Sequence, residues 1–196
     1  MGEAMLLAQI VSTFRPAATL EIGFGLAGST IGIAAARKYL GLEGKHLTLD
    51  PYQETLSGSV GFVEIATAGL ASFVQWLPEK SENYLNGASA RGEGFDFIFV
   101  DGAHGTGQVV TDAFFCDQVL NPGGIVVFHD GLLFSTMAAV RYLIKERQYC
   151  SVDLPVDSKT RTTLRMLRYA PVLGVWYATS LISKMHRSLV AVRKEA

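Results

Sequence analysis

Ten residues, EIGFGLAGST at positions 21–30, constrain the fold of this chain more than any other segment. Gly23, Gly25 and Gly28 stand in GxGxxG spacing, preceded by the short β-branched and apolar run ATLEI and followed by GSTIGIAAARKYLG, which reads as a helix closed by Gly41. Strand, tight turn and helix in that order open a parallel α/β arrangement. Glycine at the turn lets backbone amides and the helix N-terminus come close to a ligand. Taken alone, the spacing suits many nucleotide-like ligands.

The rest of the chain repeats the theme. HLTLD reads as a second strand ending at Asp50 and broken by Pro51, followed by a helical stretch around Val60–Leu70 and a third strand, SFVQWL. SENYL begins a short helix, NGASARGEG is a polar loop and FDFIFVD a fourth strand. TGQVVTDAFFCDQVL carries apolar residues at helical spacing, NPGG turns the chain, GIVVFHD is a fifth strand and MAAVRYLIKER a helix. Five such alternations predict a Rossmann-like, doubly wound and mostly parallel sheet. Ahead of it, Glu3 and the apolar stretch ending at Phe14 suit an amphipathic helix better than a secretion signal. Past Gln148, YCSVDLPV and VLGVWYA are candidate final strands, with a basic flap over residues 157–168 between them. Residues 178–194 are expected to form a closing amphipathic helix whose Leu181, Ile182, Met185, Leu189 and Val192 share one stripe. With no internal repeat, residues 1–196 are expected to form a single domain.

Composition narrows the function. A chain of 196 residues that is 49% hydrophobic can bury a sizeable core, and no apolar run reaches membrane-spanning length. Cys116 and Cys150 lie in apolar surroundings without metal-ligand spacing, so both read as buried thiols of a cytoplasmic protein. The net charge of −1 hides an asymmetry, because eight basic residues follow Ser158 against Glu195 alone. Solvated charge explains that tail most simply, and an anionic partner is the alternative.

Carboxylates at the strand ends separate one cofactor class from another. Glu21 stands two residues before the first glycine, at a strand end where a carboxylate would face the cofactor. It would repel a pyrophosphate and attract the ammonium and sulfonium of S-adenosylmethionine (SAM). Asp50 closes the second strand, where an acid accepts hydrogen bonds from ribose hydroxyls in NAD and SAM alike. Ser81, opening the helix after the third strand, is placed for an adenine contact or for a plain N-cap.

Together EIGFGLAGST, LTLD, FDFIFVDGAH and LNPGGIVVFHD resemble, in order and spacing over roughly residues 15–148, the class I SAM-dependent methyltransferases. The strand ends VDGAH and FHD are most similar to the group of catechol and sugar O-methyltransferases. The resemblance implies seven strands with an antiparallel last strand. It also implies contacts from Glu21, Gly23, Gly25, Gly28 and Ser29 to the methionine part of SAM, from Asp50 to the ribose and from Ser81 to the adenine. Asp101 would stand at the centre. His104, three residues on, matches a general base, and its ordinary pKa suits that task. Asp101, His129 and Asp130 match the positions of divalent-metal ligands in metal-dependent relatives. There a carboxylate usually stands where His129 does here, and an imidazole favours Mn²⁺ or Zn²⁺ over Mg²⁺.

The expected reaction is methyl transfer to a hydroxyl of a small molecule such as a sugar, a phenol or a natural product. A divalent ion would assist, and a second subunit could complete the pocket. An NAD(P)-dependent oxidoreductase is the rival that Glu21 disfavours. A catalytically silent SAM-binding module is the other. A nucleic-acid amine methyltransferase is disfavoured because the fourth strand ends in VDGAH and not in an Asn-Pro-Pro-Tyr motif.

Overall fold

A computed structural model of the protein describes residues 3–154 and 189–195. Helix α1 (Glu3–Phe14) precedes strand β1 (Thr19–Ile22), helix α2 (Gly28–Tyr39), strand β2 (His46–Leu49), helix α3 (Val60–Thr67) and, after one 3₁₀ turn, strand β3 (Val74–Leu77). Helix α4 (Ser81–Ala90), strand β4 (Phe95–Val100), helix α5 (Thr106–Val119), strand β5 (Leu120–Phe128), helix α6 (Phe134–Glu146) and strands β6 (Tyr149–Val152) and β7 (Val190–Lys194) complete the described elements. The seven strands form one sheet in the order β3-β2-β1-β4-β5-β7-β6. Strands β1 to β5 pair in parallel, and β7 runs antiparallel to both β5 and β6. The expected Rossmann-like architecture with an antiparallel last strand is therefore present.

Alternation along the strands sorts side chains onto the two faces of the sheet. Leu20, Ile22, Ile98 and Val100 join one core with Leu85 of α4, Val109, Ala113 and Cys116 of α5, and Met137, Val140 and Leu143 of α6. Phe97, Phe99, Ile125 and Val127 face the other way, onto Leu6, Leu7, Ile10 and Val11 of α1 and Ile33 of α2. A sheet covered on both faces needs central strands that are apolar throughout, and this explains why FDFIFV shows no hydrophobic–polar alternation.

Several expectations are corrected. Residues 190–194 form a strand where a helix extending to residue 194 was expected, because Val190, Ala191 and Val192 sit between β5 and β6 with both neighbours to pair. The flap over 157–168, the strand VLGVWYA and the rest of the expected helix lie outside the described residues. Helix α4 runs on through NGASA, which composition marks as loop, because Leu85 and Ala88 turn one of its faces into the core. NPGG is absorbed into β5, where the pairing with β4 shifts register between Phe95 and Phe97. Cys116 is buried as expected, whereas Cys150 is exposed, since it lies on the edge strand β6.

Candidate active site

The C-terminal ends of β1, β2 and β4 meet at the glycine turn. Gly23, at φ +95°, donates its N–H to the Leu49 carbonyl (2.9 Å), and a Cβ there would lie 2.2 Å from the carbonyl oxygen of Asp101. Only glycine lets β1 and β4 end this close together. Asp50 ties the turn to β2: one carboxylate oxygen accepts from the Phe24 and Gly25 amides (3.2 and 3.1 Å) and the other from the Tyr52 amide (2.8 Å). Gln53 reinforces it, donating to the Gly25 carbonyl (2.7 Å).

Two cavities open on this turn. The larger, about 400 Å³, is bordered by Gly23, Gly25, Asp50, Ser81, Asp101 and Asp112 among others. A second, of about 340 Å³, is bordered by Glu3, Gly23, Gly25, Gly28, Ser29 and Asp101. Asp101 and the two glycines belong to both. Helix α2 begins at the second cavity with Ala27 as its N-cap and no side-chain cap, so the positive end of the helix borders that space.

Glu21 does not stand where a carboxylate facing the cofactor was expected. Alternation places Thr19 and Glu21 on the face opposite Leu20 and Ile22, beneath α2, where Glu21 is 0% exposed and borders neither cavity. Its carboxylate accepts hydrogen bonds from Ser29 and from Thr30 (Oγ1 to Oε2, 2.6 Å), and its Oε2 lies 3.0 Å from Nε2 of the buried His46. The other nitrogen of His46 meets the Thr19 hydroxyl at 3.0 Å. Glu21 therefore acts on the site through Ser29, which it holds at the edge of the second cavity.

The residues expected to perform chemistry gather in two histidine–carboxylate groups. His129 has Nδ1 3.0 Å from Asp101 Oδ1 and Nε2 3.1 Å from Glu3 Oε2. Hydrogen bonding to Asp101 and then to Glu3 pushes the pKa of His129 up to about 10, against a smaller opposing effect of burial. His104, whose ring is 55% exposed, directs Nδ1 at Asp130 Oδ2 (3.5 Å). His129 Nδ1 also lies 3.4 Å from Asp130 Oδ1, so Asp130 stands between the two imidazoles. Of the expected metal set, Asp101 and His129 come together with Glu3, the three ligand atoms lying within 4.8 Å of one another, and Asp130 meets this group through its 3.4 Å contact with His129 Nδ1. Nothing in the sequence connects position 3 to position 129; α1 delivers Glu3 by packing across α2, where a Cβ on Gly32 would lie 2.3 Å from the Ala4 carbonyl oxygen.

Ser81 lies within the first turn of α4, after the N-cap Lys80, so the N-cap alternative is set aside. Its hydroxyl donates to Asp112 Oδ1 (2.5 Å) at the edge of the larger cavity. The sequence signal that marks Asp112 is an acid beside Val109, Ala113 and Cys116 on the buried stripe of α5.

Fold and strand-edge site together define a class I methyltransferase: a doubly wound sheet with a glycine turn, an acid after β2 and an acid after β4 around a shared cleft. Residues 20–131 match the model of a methyltransferase domain, and the chain belongs to that family. No curated protein sequence matches it. Among solved structures it is similar to the O-methyltransferase TomG of Streptomyces achromogenes, involved in tomaymycin synthesis and solved with SAM (TM-score 0.68, 16% identity, 99% of this chain and 80% of that one). It is similar also to the Bacillus cereus O-methyltransferase solved with SAH, the demethylated product of SAM (0.67, 18%, 98% and 80%), and to the SAH-bound methyltransferase PaMTH1 of Podospora anserina (0.66, 14%, 99% and 78%). At these identities the likeness concerns the fold. Among the described residues, no helix is long and apolar enough to cross a membrane.

Proposed function

We propose that the protein transfers the methyl group of SAM to a hydroxyl of a small molecule, with His104 as the base that removes the hydroxyl proton. The observation that carries this reading is the pair of cavities joined at Gly23, Gly25 and Asp101. One is bordered by carboxylates suited to ribose hydroxyls and a base, the other by the start of a helix suited to an amino-acid carboxylate. A molecule with a nucleoside at one end and an amino acid at the other matches that division, and Asp101 at the junction would face its cationic middle. SAM, when bound, supplies an activated methyl group.

The chain's residues then have distinct tasks. Asp50 holds the glycine turn and accepts from the ribose. Ser29, fixed by Glu21, and the α2 terminus hold the amino-acid end, so that alignment of the acceptor oxygen with the methyl carbon supplies most of the rate. His104, oriented by Asp130, takes the proton of the attacking hydroxyl at a ring nitrogen as the oxygen–carbon bond forms. The partly exposed position of His104 leaves room for an acceptor such as a sugar, a phenol or a natural product.

Divalent-metal assistance is a second reading, favoured by the convergence of Glu3, Asp101 and His129. Two oxygens and an imidazole fit an ion of the Mn²⁺ or Zn²⁺ type better than Mg²⁺. Such an ion would lower the pKa of the acceptor hydroxyl.

Calorimetry with SAH and turnover on a panel of hydroxylated acceptors test these readings. SAH should bind, and His104→Gln should keep that binding while losing about 10²- to 10⁴-fold in turnover. Turnover that survives His104→Gln but not a chelator would transfer the proton-removing role to the metal reading. An absence of SAH binding would defeat both.

A further inference from the structure

Four polar side chains lie beneath α2, on the face of the sheet that otherwise meets α1 and α2 through apolar groups. They are Thr19 and Glu21 of β1 and His46 and Thr48 of β2, and each is at most 1% exposed. The strand register sets Glu21 opposite Thr48, yet the Thr48 hydroxyl has no hydrogen-bond partner among the described residues. The side-chain contact from β2 to Glu21 comes instead from His46, whose Nε2 lies 3.0 Å from Glu21 Oε2. Its Nδ1 lies 3.0 Å from the Thr19 hydroxyl, which has no other side-chain partner among the described residues. A carboxylate only accepts, so Nε2 carries the proton and Nδ1 takes the hydrogen bond from Thr19. Burying such a cluster is costly unless its hydrogen bonds are made, and the one imidazole makes two of them.

His46 borders neither cavity, but its influence reaches the second one through two hydrogen bonds. Glu21 accepts from Ser29 and Thr30 in the first turn of α2 and from His46 on β2, so its carboxylate is held from two elements at once. Held from α2 alone, the carboxylate would be free to turn about its own torsions, and the Ser29 hydroxyl would turn with it. With its proton committed to Glu21, Ser29 Oγ can only accept from a ligand at the cavity it borders. We propose that His46 is a positioning residue for cofactor binding, which touches no ligand and acts by holding Glu21 and, through Glu21, the Ser29 hydroxyl. The inference rests on the reading that the amino-acid end of SAM occupies the second cavity.

Two substitutions separate this role from a general contribution to stability. The amide of His46→Asn reaches the place of Nδ1 and can still meet Thr19, whereas that of His46→Gln reaches the place of Nε2 and can still donate to Glu21. Each loses one hydrogen bond of the pair, and thermal unfolding without ligand reports that loss. In calorimetry on the full chain, His46→Asn should weaken SAH binding about tenfold or more, and His46→Gln should recover it to within about threefold of wild type. In a Ser29→Ala background, His46→Asn should change the affinity less than about twofold, since its effect passes through Ser29. Equal affinities of the two variants, or an undiminished effect in the Ser29→Ala background, overturn the inference and leave the cofactor reading intact. Where a variant does not fold, nitrogen NMR of the wild-type His46 ring, assigned through its backbone, decides: Nε2 should carry the proton, and a bare Nε2 overturns the inference. Failure of wild type to bind SAH overturns the cofactor reading and this inference with it.

Discussion

Asp50 shows how one side chain can serve both fold and ligand. Its two oxygens accept from the Phe24, Gly25 and Tyr52 amides and also border the larger cavity. Asp50→Ala should therefore weaken SAH binding by about 1.5–3 kcal/mol, the worth of hydrogen bonds to a charged group. Calorimetry on the folded variant checks it, and unchanged affinity would remove Asp50 from the ribose contact. The cysteines give a second prediction at this scale. Burial pushes the Cys116 thiol well up, and Cys150 is exposed, so a thiol reagent at mildly alkaline pH should label one cysteine quickly and the second only after denaturation. Two equally fast thiols would contradict the burial of Cys116. That Asp50 and Asp101 follow strand ends and that Ser81 opens a helix was legible in the sequence. The burial of Glu21 was less so, since its distance from the glycines was readable but the helix covering its face was not.

At the level of elements, the crossing of α1 over α2 decides the composition of the histidine site. The Ala4 carbonyl oxygen lies where a Cβ of Gly32 would need to be, and this contact brings the start of α1 within reach of His129. Alanine is normally favoured over glycine inside a helix by about 1 kcal/mol. Gly32→Ala should instead destabilise the protein by about 1–3 kcal/mol in urea unfolding, because backbone stands in the way of the new methyl group. A neutral or stabilising result would mean that α1 packs more loosely than described. Elements bounded by strong local signals, such as β1, α2, β4 and the start of α6, could be read from the chain. The extension of α4 could not, because Leu85 and Ala88 become core residues only once α5 lies beside them.

For the whole molecule, a ligand joining two cavities at the ends of three strands should stabilise the entire domain. At a hundredfold excess over its Kd, SAH should add about 2.7 kcal/mol and raise Tm by about 5–10 °C. Thermal unfolding with and without SAH checks this, and a Tm indifferent to saturating SAH would count against a cofactor seated at that junction. What the sequence determined by itself was the alternation of strands and helices, the glycine turn and the acids that end β2 and β4, because backbone geometry and hydrophobic period act over a few residues. Tertiary structure alone decided that Glu3 joins Asp101 and His129, that Asp130 lies between His129 and His104, that Asp112 reaches the cavity and that residues 190–194 pair as a strand. Each of these depends on groups far apart in the chain, whose meeting is set by helix crossing and by the free edge of β5, and no local pattern encodes such distances.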